Sequence, residues 1–129
     1  VTHGGPDRQG LAARLPHLID RFVDRMFDDL IIGFRFAGTD RARIKRHELE
    51  LARKHLLGEG TYTGRPIGPL HRRQRINRGQ FARRLAILRT VLTEEGVDEA
   101  VIAGWIDHDR RLEPALTDGT DCVPAPEEP

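Results

Sequence analysis

Apolar residues return along this chain every three or four positions, which is the spacing of one face of an α-helix. In PHLIDRFVDRMFDDL (16–30), Leu18, Phe22, Met26 and Leu30 repeat every fourth residue, with Ile19, Val23 and Phe27 beside them. A second run is predicted from Asp40, a helix-capping residue, to a stop at Gly58 and Gly60. A third follows Asn77, another cap, with Phe81, Leu85, Leu88 and Leu92 in phase up to Gly96. The fourth carries Val101, Ile102, Trp105, Ile106 and Leu112 until Pro114 ends or kinks it. No stretch alternates apolar and polar residues between turn signals, so strands are not expected. The pattern predicts an all-α domain.

The second run poses a question. Positions 44, 48, 51 and 55 share one helical face, with 47 and 52 alongside. Ile44 and Leu51 mark that face for burial, yet it also carries His47, Glu48 and His55. Between the second and third runs, GEGTYTGRPIGPLHRRQRINRG is long for a connection inside a compact domain, with only a short helix expected over 66–73, and this length points to function.

The 129 residues fit one domain: residues 1–6 read as a disordered lead, 7–117 as the folded unit and 118–129 as a disordered Pro- and Glu-rich tail. No apolar run approaches the ~18 residues of a membrane helix, and no signal peptide is evident. A lone Cys122 excludes an internal disulfide, and a cytoplasmic setting is expected. The net charge of +1 hides a strong polarity, since residues 1–40 carry −1 (five Arg, six acids), 41–90 carry +11 (fourteen Lys and Arg, three Glu) and 91–129 carry −9 (two Arg, eleven acids). Such a split serves a nucleic-acid face, an anionic ligand, or helices of opposite sign docking on one another.

Several chemistries are excluded. HELELARKH is not the HExxH zinc signature, because His47 and His55 stand eight residues, or about 12 Å, apart along a helix. GEGTYTGRP lacks the Lys of a phosphate loop, and the chain contains no Ser to act as a nucleophile. His71 is more informative. Leu70, Ile67, Ile76 and Phe81 surround it in sequence, together with Arg72, Arg73, Arg75 and Arg78. That setting suits a core histidine satisfied by a carbonyl, or an axial ligand to haem iron with apolar neighbours on the macrocycle and arginines on its propionates.

The order of Phe22, FAGTD (36–40), a helix with Ile44, His47, Glu48 and Leu51, then LLGEGTYTGRP, His71, INRGQF (76–81) and EEGV (94–97) resembles a group I truncated haemoglobin, from about Asp20 to Ala115. The resemblance implies a two-over-two helical sandwich around non-covalent haem b. The first two helices would form the distal side, with the loop to His71 and the last two helices on the proximal side. His71 would be the proximal iron ligand and Phe36 would pack on the haem face. Phe22, Val23, Ile44, Leu51, Tyr62, Ile67, Leu70, Ile76, Phe81 and Trp105 would line the pocket, with Arg43 and Arg75 among the polar residues at its edge.

Departures from the family pattern bear on function. Many members place a Tyr, donor to bound dioxygen, where this chain has Val23; losing one neutral hydrogen bond weakens binding by about tenfold at most. His47 stands where some cyanobacterial members carry a second histidine that ligates the iron in the absence of gas. Glu48 stands where Gln is frequent, and must be protonated, paired with an arginine such as Arg43 or Arg75, or bonded to His47. Pro114 falls near the place of a histidine that some relatives link to a haem vinyl. The resemblance thus implies a haem protein that binds O2, NO or CO, with bis-histidine coordination, nitric oxide dioxygenation or peroxidase-like turnover, sensing, and a reductase among its expectations. A membrane or nucleic-acid partner is not expected. The competing reading is a haem-free helical interaction module that uses the basic middle segment on an anionic partner such as nucleic acid.

Overall fold

The computed structural model describes residues 5–63 and 77–116, which are helical with no strand among them. Helix α1 spans Gly5–Phe27, a 3-10 turn covers Gly33–Phe36, and α2 (Arg41–Ala52) runs on into a π-turn at Arg53–Leu57. Helices α3 (Arg78–Glu94), α4 (Glu99–Arg111) and the one-turn α5 (Glu113–Leu116) complete the described chain. Helix α1 packs on α2 and α3, and α3 packs on α4, so that two helix pairs meet along the α1–α3 seam.

The seam is built from the expected periodicity. Leu15, Leu18, Phe22 and Val23 of α1 and Phe81, Leu88, Val91 and Leu92 of α3 are almost wholly removed from water, and Ile102, Trp105 and Ile106 of α4 close the core. Each fully buried large apolar side chain contributes about 1.5–3 kcal/mol of transfer free energy. Two sequence-predicted caps are in place. Asp40 accepts from the Arg43 amide, and Asn77 accepts from the Gln80 amide at 2.7 Å while the Gln80 side chain returns a bond to the Asn77 amide at 3.0 Å.

The structure corrects the first helix at both ends. It begins at Gly5 and holds Pro16 inside, because Leu11, Ala12 and Leu15 extend the apolar face upstream of the proline. It stops at Phe27, so Leu30 is fully exposed rather than in phase with Met26. The Asp29 carboxylate ends it by accepting from the amides of Ile31 and Ile32, both at 3.0 Å, and from Arg83 of α3 at 2.6 Å. Gly33 is required here, since a Cβ would lie 2.6 Å from the Phe27 carbonyl oxygen. At the other end of the chain, α4 stops at Arg111 and Pro114 sits within α5. The helix expected over 66–73 and the tail from 118 lie outside the described residues.

Part of the charge is taken up in ion pairs between helices. Arg21 and Arg25 of α1 bond Glu95 and Glu94 at the end of α3, both at 2.6 Å, and Arg14 reaches the Glu95 carbonyl. Lys45 of α2 bridges Asp20 and Asp24 at 2.7 and 2.9 Å, and this pairing raises the Lys45 pKa and lowers that of Asp24. No described helix is long and apolar enough to cross a membrane.

Candidate functional site

Helix α2 differs from its neighbours in burying little. Ile44 and Leu51, expected inside, are only half-buried, as are His47, Glu48 and Leu49, and Ala52 is the sole buried residue of the helix. These side chains keep part of their surface in solvent, so the polar ones among them need no full desolvation. The His47 ring meets Tyr62 edge-on at 5.7 Å, and Tyr62 is half-buried. Burial and the nearby Glu48 and Glu50 carboxylates raise the Tyr62 pKa, which keeps its phenol protonated. Residues 61–63 are tied back to α2, because Thr63 donates through its amide and hydroxyl to the Glu50 carboxylate.

Glu48 is paired with an arginine, as expected for a carboxylate on this face, and the arginine among the described residues is Arg84 rather than one of those named from the sequence. Arg84 of α3 donates to Glu48 at 2.6 Å and stands 3.8 Å from Asp109 of α4, with its guanidinium carbon 5.0 Å from the Phe22 ring centroid. Burial opposes the charge of Arg84, but the two carboxylates outweigh it and hold its pKa above the ordinary arginine value. Asp109 is also reached by His108 Nδ1 at 3.3 Å. The His108 ring lies against that of His55, with centroids 3.7 Å apart. Burial, and then the neighbouring His108, lower the His55 pKa, so the ring is held neutral near pH 7.

These groups border a cleft between the helix pairs, with about 380 Å³ of empty space including its mouth. Ile19, Phe22, Leu51, Leu56, Trp105 and Leu112 give it apolar walls, while Arg84, Asp109, Glu48, His55 and His108 supply polar groups. Sequence reasoning assigned Phe22, Glu48, Leu51 and Trp105 to one pocket, and the structure brings them together here. It left out Arg84, His55, His108 and Asp109. A signal for two of these was present: Arg84 falls three residues after Phe81 and four before Leu88, and Asp109 falls four after Trp105, so both interrupt apolar stripes.

Other predicted positions are placed as follows. Val23 and Phe81 are buried in the seam. Phe36 is half-buried, its ring stacked on Phe27 at 4.7 Å. His71, Ile67, Leu70, Arg75 and Ile76 lie outside the described residues. Among the described residues no group of three His, Cys, Asp or Glu could hold a bare metal ion. A flat apolar macrocycle fits better: Ile44 and Leu51 offer half-covered apolar surface, and His47 between them offers the borderline nitrogen donor that iron accepts.

No family model matches the chain, and no curated protein matches it. Among solved structures the chain is similar to Chlamydomonas reinhardtii THB1, with 28% identity and a TM-score of 0.71 over 88% of this chain and 94% of that one. The paired helices, the capped α2 with its half-buried face and this likeness agree with the resemblance carried by FAGTD and YTGRP. The chain has the fold of a truncated globin, and the likeness supports a globin-type haem-binding role.

Proposed function

We propose that the protein holds haem b without a covalent link, with His71 as the proximal ligand, and that it binds O2, NO or CO on the side faced by α2, in competition with His47. Haem would supply an iron able to bind a diatomic gas. The observation that carries the reading is the half-buried α2 wall, in which Ile44 and Leu51 stand ready to cover an apolar surface and His47 rises between them. Val23 is wholly buried in the seam, so α1 offers no hydrogen-bond donor at that position. Glu48 is held by Arg84 on the cleft, while His47 and Tyr62 meet edge-on elsewhere on the same helix wall and do not line that cleft. Arg43, exposed on α2, is available to a haem propionate.

If His47 occupies the sixth position, an incoming gas binds only the fraction of protein from which His47 has withdrawn, and the observed affinity falls by that fraction. This suits nitric oxide dioxygenation, peroxidase-like turnover or sensing better than storage, and the redox uses require an electron donor such as a reductase. The test is the visible spectrum of the haem-loaded protein, ferric and ferrous, with and without CO. Low-spin bands without added ligand, turning high-spin in His47→Ala, are expected, together with weakened haem retention in His71→Ala. High-spin bands in both wild type and His47→Ala would remove His47 from the coordination sphere. Absence of a stable Soret band would overturn the haem reading itself.

A further inference from the structure

We propose that the turn between α1 and α2 is a membrane-contacting tip, from which Leu30, Ile31 and Phe34 enter the interfacial layer of a phospholipid bilayer. The large apolar side chains left exposed among the described residues all fall within this one stretch: Leu30 is 100% exposed, Phe34 63% and Ile31 54%. Apolar residues scattered singly over a surface are ordinary, but three gathered on one turn mark a contact surface. The turn is firmly held. The Asp29 carboxylate accepts from the amides of Ile31 and Ile32 and from Arg83 of α3, and the Gly33 amide donates to the Asp29 carbonyl at 2.8 Å. Ile32 is buried as an anchor between its exposed neighbours, and Phe36 stacks on Phe27 just beyond them. With the backbone fixed in this way, the three side chains are presented outward and little ordering is left to be done at contact.

Shape and charge choose the partner. A side chain as exposed as Leu30 protrudes, and it would need a matching recess in a protein partner, whereas fluid acyl chains close around it. A second copy docked tip to tip would bury only a few hundred Å² on each side, short of the roughly 800 Å² per partner of a standard interface. The carboxylates beside the tip do not stand unopposed against a phospholipid surface, because Asp29 is bonded to Arg83 and Asp28 stands 3.6 Å from Arg41. Arg35, exposed within the tip, adds a positive charge whose stem can lie with the apolar groups while its head meets a phosphate. The absence of a long apolar run bears only on spanning a membrane, and a tip of three side chains enters one leaflet without spanning. This inference does not rest on the haem reading.

The full chain, with its haem content recorded separately by absorbance, would be sedimented with vesicles of phosphatidylcholine, pure or mixed with phosphatidylserine. Saturable partition into the vesicle pellet is expected, largely retained at high salt because apolar contact carries it. Leu30→Ser combined with Phe34→Ser should weaken partition by about tenfold or more. Both side chains lie in water, so the double variant should keep the melting temperature of the wild type, and Arg110→Ser, at an exposed position on α4, should leave partition unchanged. Wild-type protein that stays in the supernatant, or a double variant that partitions like the wild type, would overturn the proposal. A dimer in sedimentation equilibrium that the double variant dissolves, in place of vesicle binding, would overturn it too and give the tip to a second copy.

Discussion

The α1–α3 seam and the α2 face are both made from helices with apolar residues in phase, yet one is dry and the other is not. In the seam, each in-phase position meets another across the interface, and Leu15, Leu18, Leu88 and Val91 are closed to water. On α2 the same spacing leaves Ile44 and Leu51 half-covered, with His47 and Glu48 interleaved. Amphipathic periodicity therefore reports which face turns inward but not whether protein atoms are what it meets. A wall reserved for a ligand and a wall of the core share one pattern, and polar residues within the stripe separate them.

The largest effect that would sharpen this contrast comes from truncation. Leu88→Ala should destabilise by about 2–5 kcal/mol in urea unfolding of the haem-free protein, whereas Leu51→Ala should cost less than half as much and show itself instead in haem retention. Equal losses at the two positions would erase the distinction. Next comes the ion pair behind the α2 face. Arg84→Met removes the cation that Glu48 and Asp109 share and should cost about 3 kcal/mol, while Arg84→Met with Glu48→Leu should recover part of it, as measured by the same unfolding curves. Failure of the double variant to recover any of the loss would put it on the buried Asp109 and on packing against Phe22 instead of the Glu48 pair.

A smaller loss, about 1 kcal/mol, is expected for Asn77→Ala, which removes the side-chain bond that starts α3 on the seam side. The smallest effect is on pH dependence. His55 titrates below its ordinary value of 6.5 in the folded chain, so the unfolded chain takes up a proton first as the pH falls. Its contribution is therefore favourable above pH 6.5 and is lost as the pH drops through the lowered folded value. His55→Asn should flatten stability against pH in that window, read from melting temperatures between pH 5 and 8.

Much of this was legible in the sequence. The four runs, the Asp40 and Asn77 caps and the stop at Gly96 follow from local chemistry that tertiary context did not override. Pro16 misled because a proline inside a helix reads as its first turn, and only the burial of Leu15 with the packing of Leu11 and Ala12 shows the helix continuing upstream. Leu30 misled because the Asp29 turn, held by Arg83 from a distant helix, ends α1 before the phase runs out. The Arg84 cluster was half legible. Glu48, Arg84 and Asp109 each break an apolar stripe, and three charges turned inward on three helices have to meet; which arginine of the many would serve Glu48 depended on how α2 and α3 cross.

The π-turn at Arg53–Leu57 has a consequence for chain length. Its wide turn accommodates one more residue than an α-turn over the same rise, and it closes with the Gly58 amide donating to the Lys54 carbonyl and the Glu59 amide to that of Arg53. Deleting one residue there lets the backbone tighten to ordinary α spacing while Leu57 and Gly58 keep their places. Everywhere else in α2 the same deletion would rotate the downstream face by about 100° and carry the cleft-lining side chains out of register. Chains of this pattern can thus differ by one residue at this turn, and nowhere else along the helix, without losing the site.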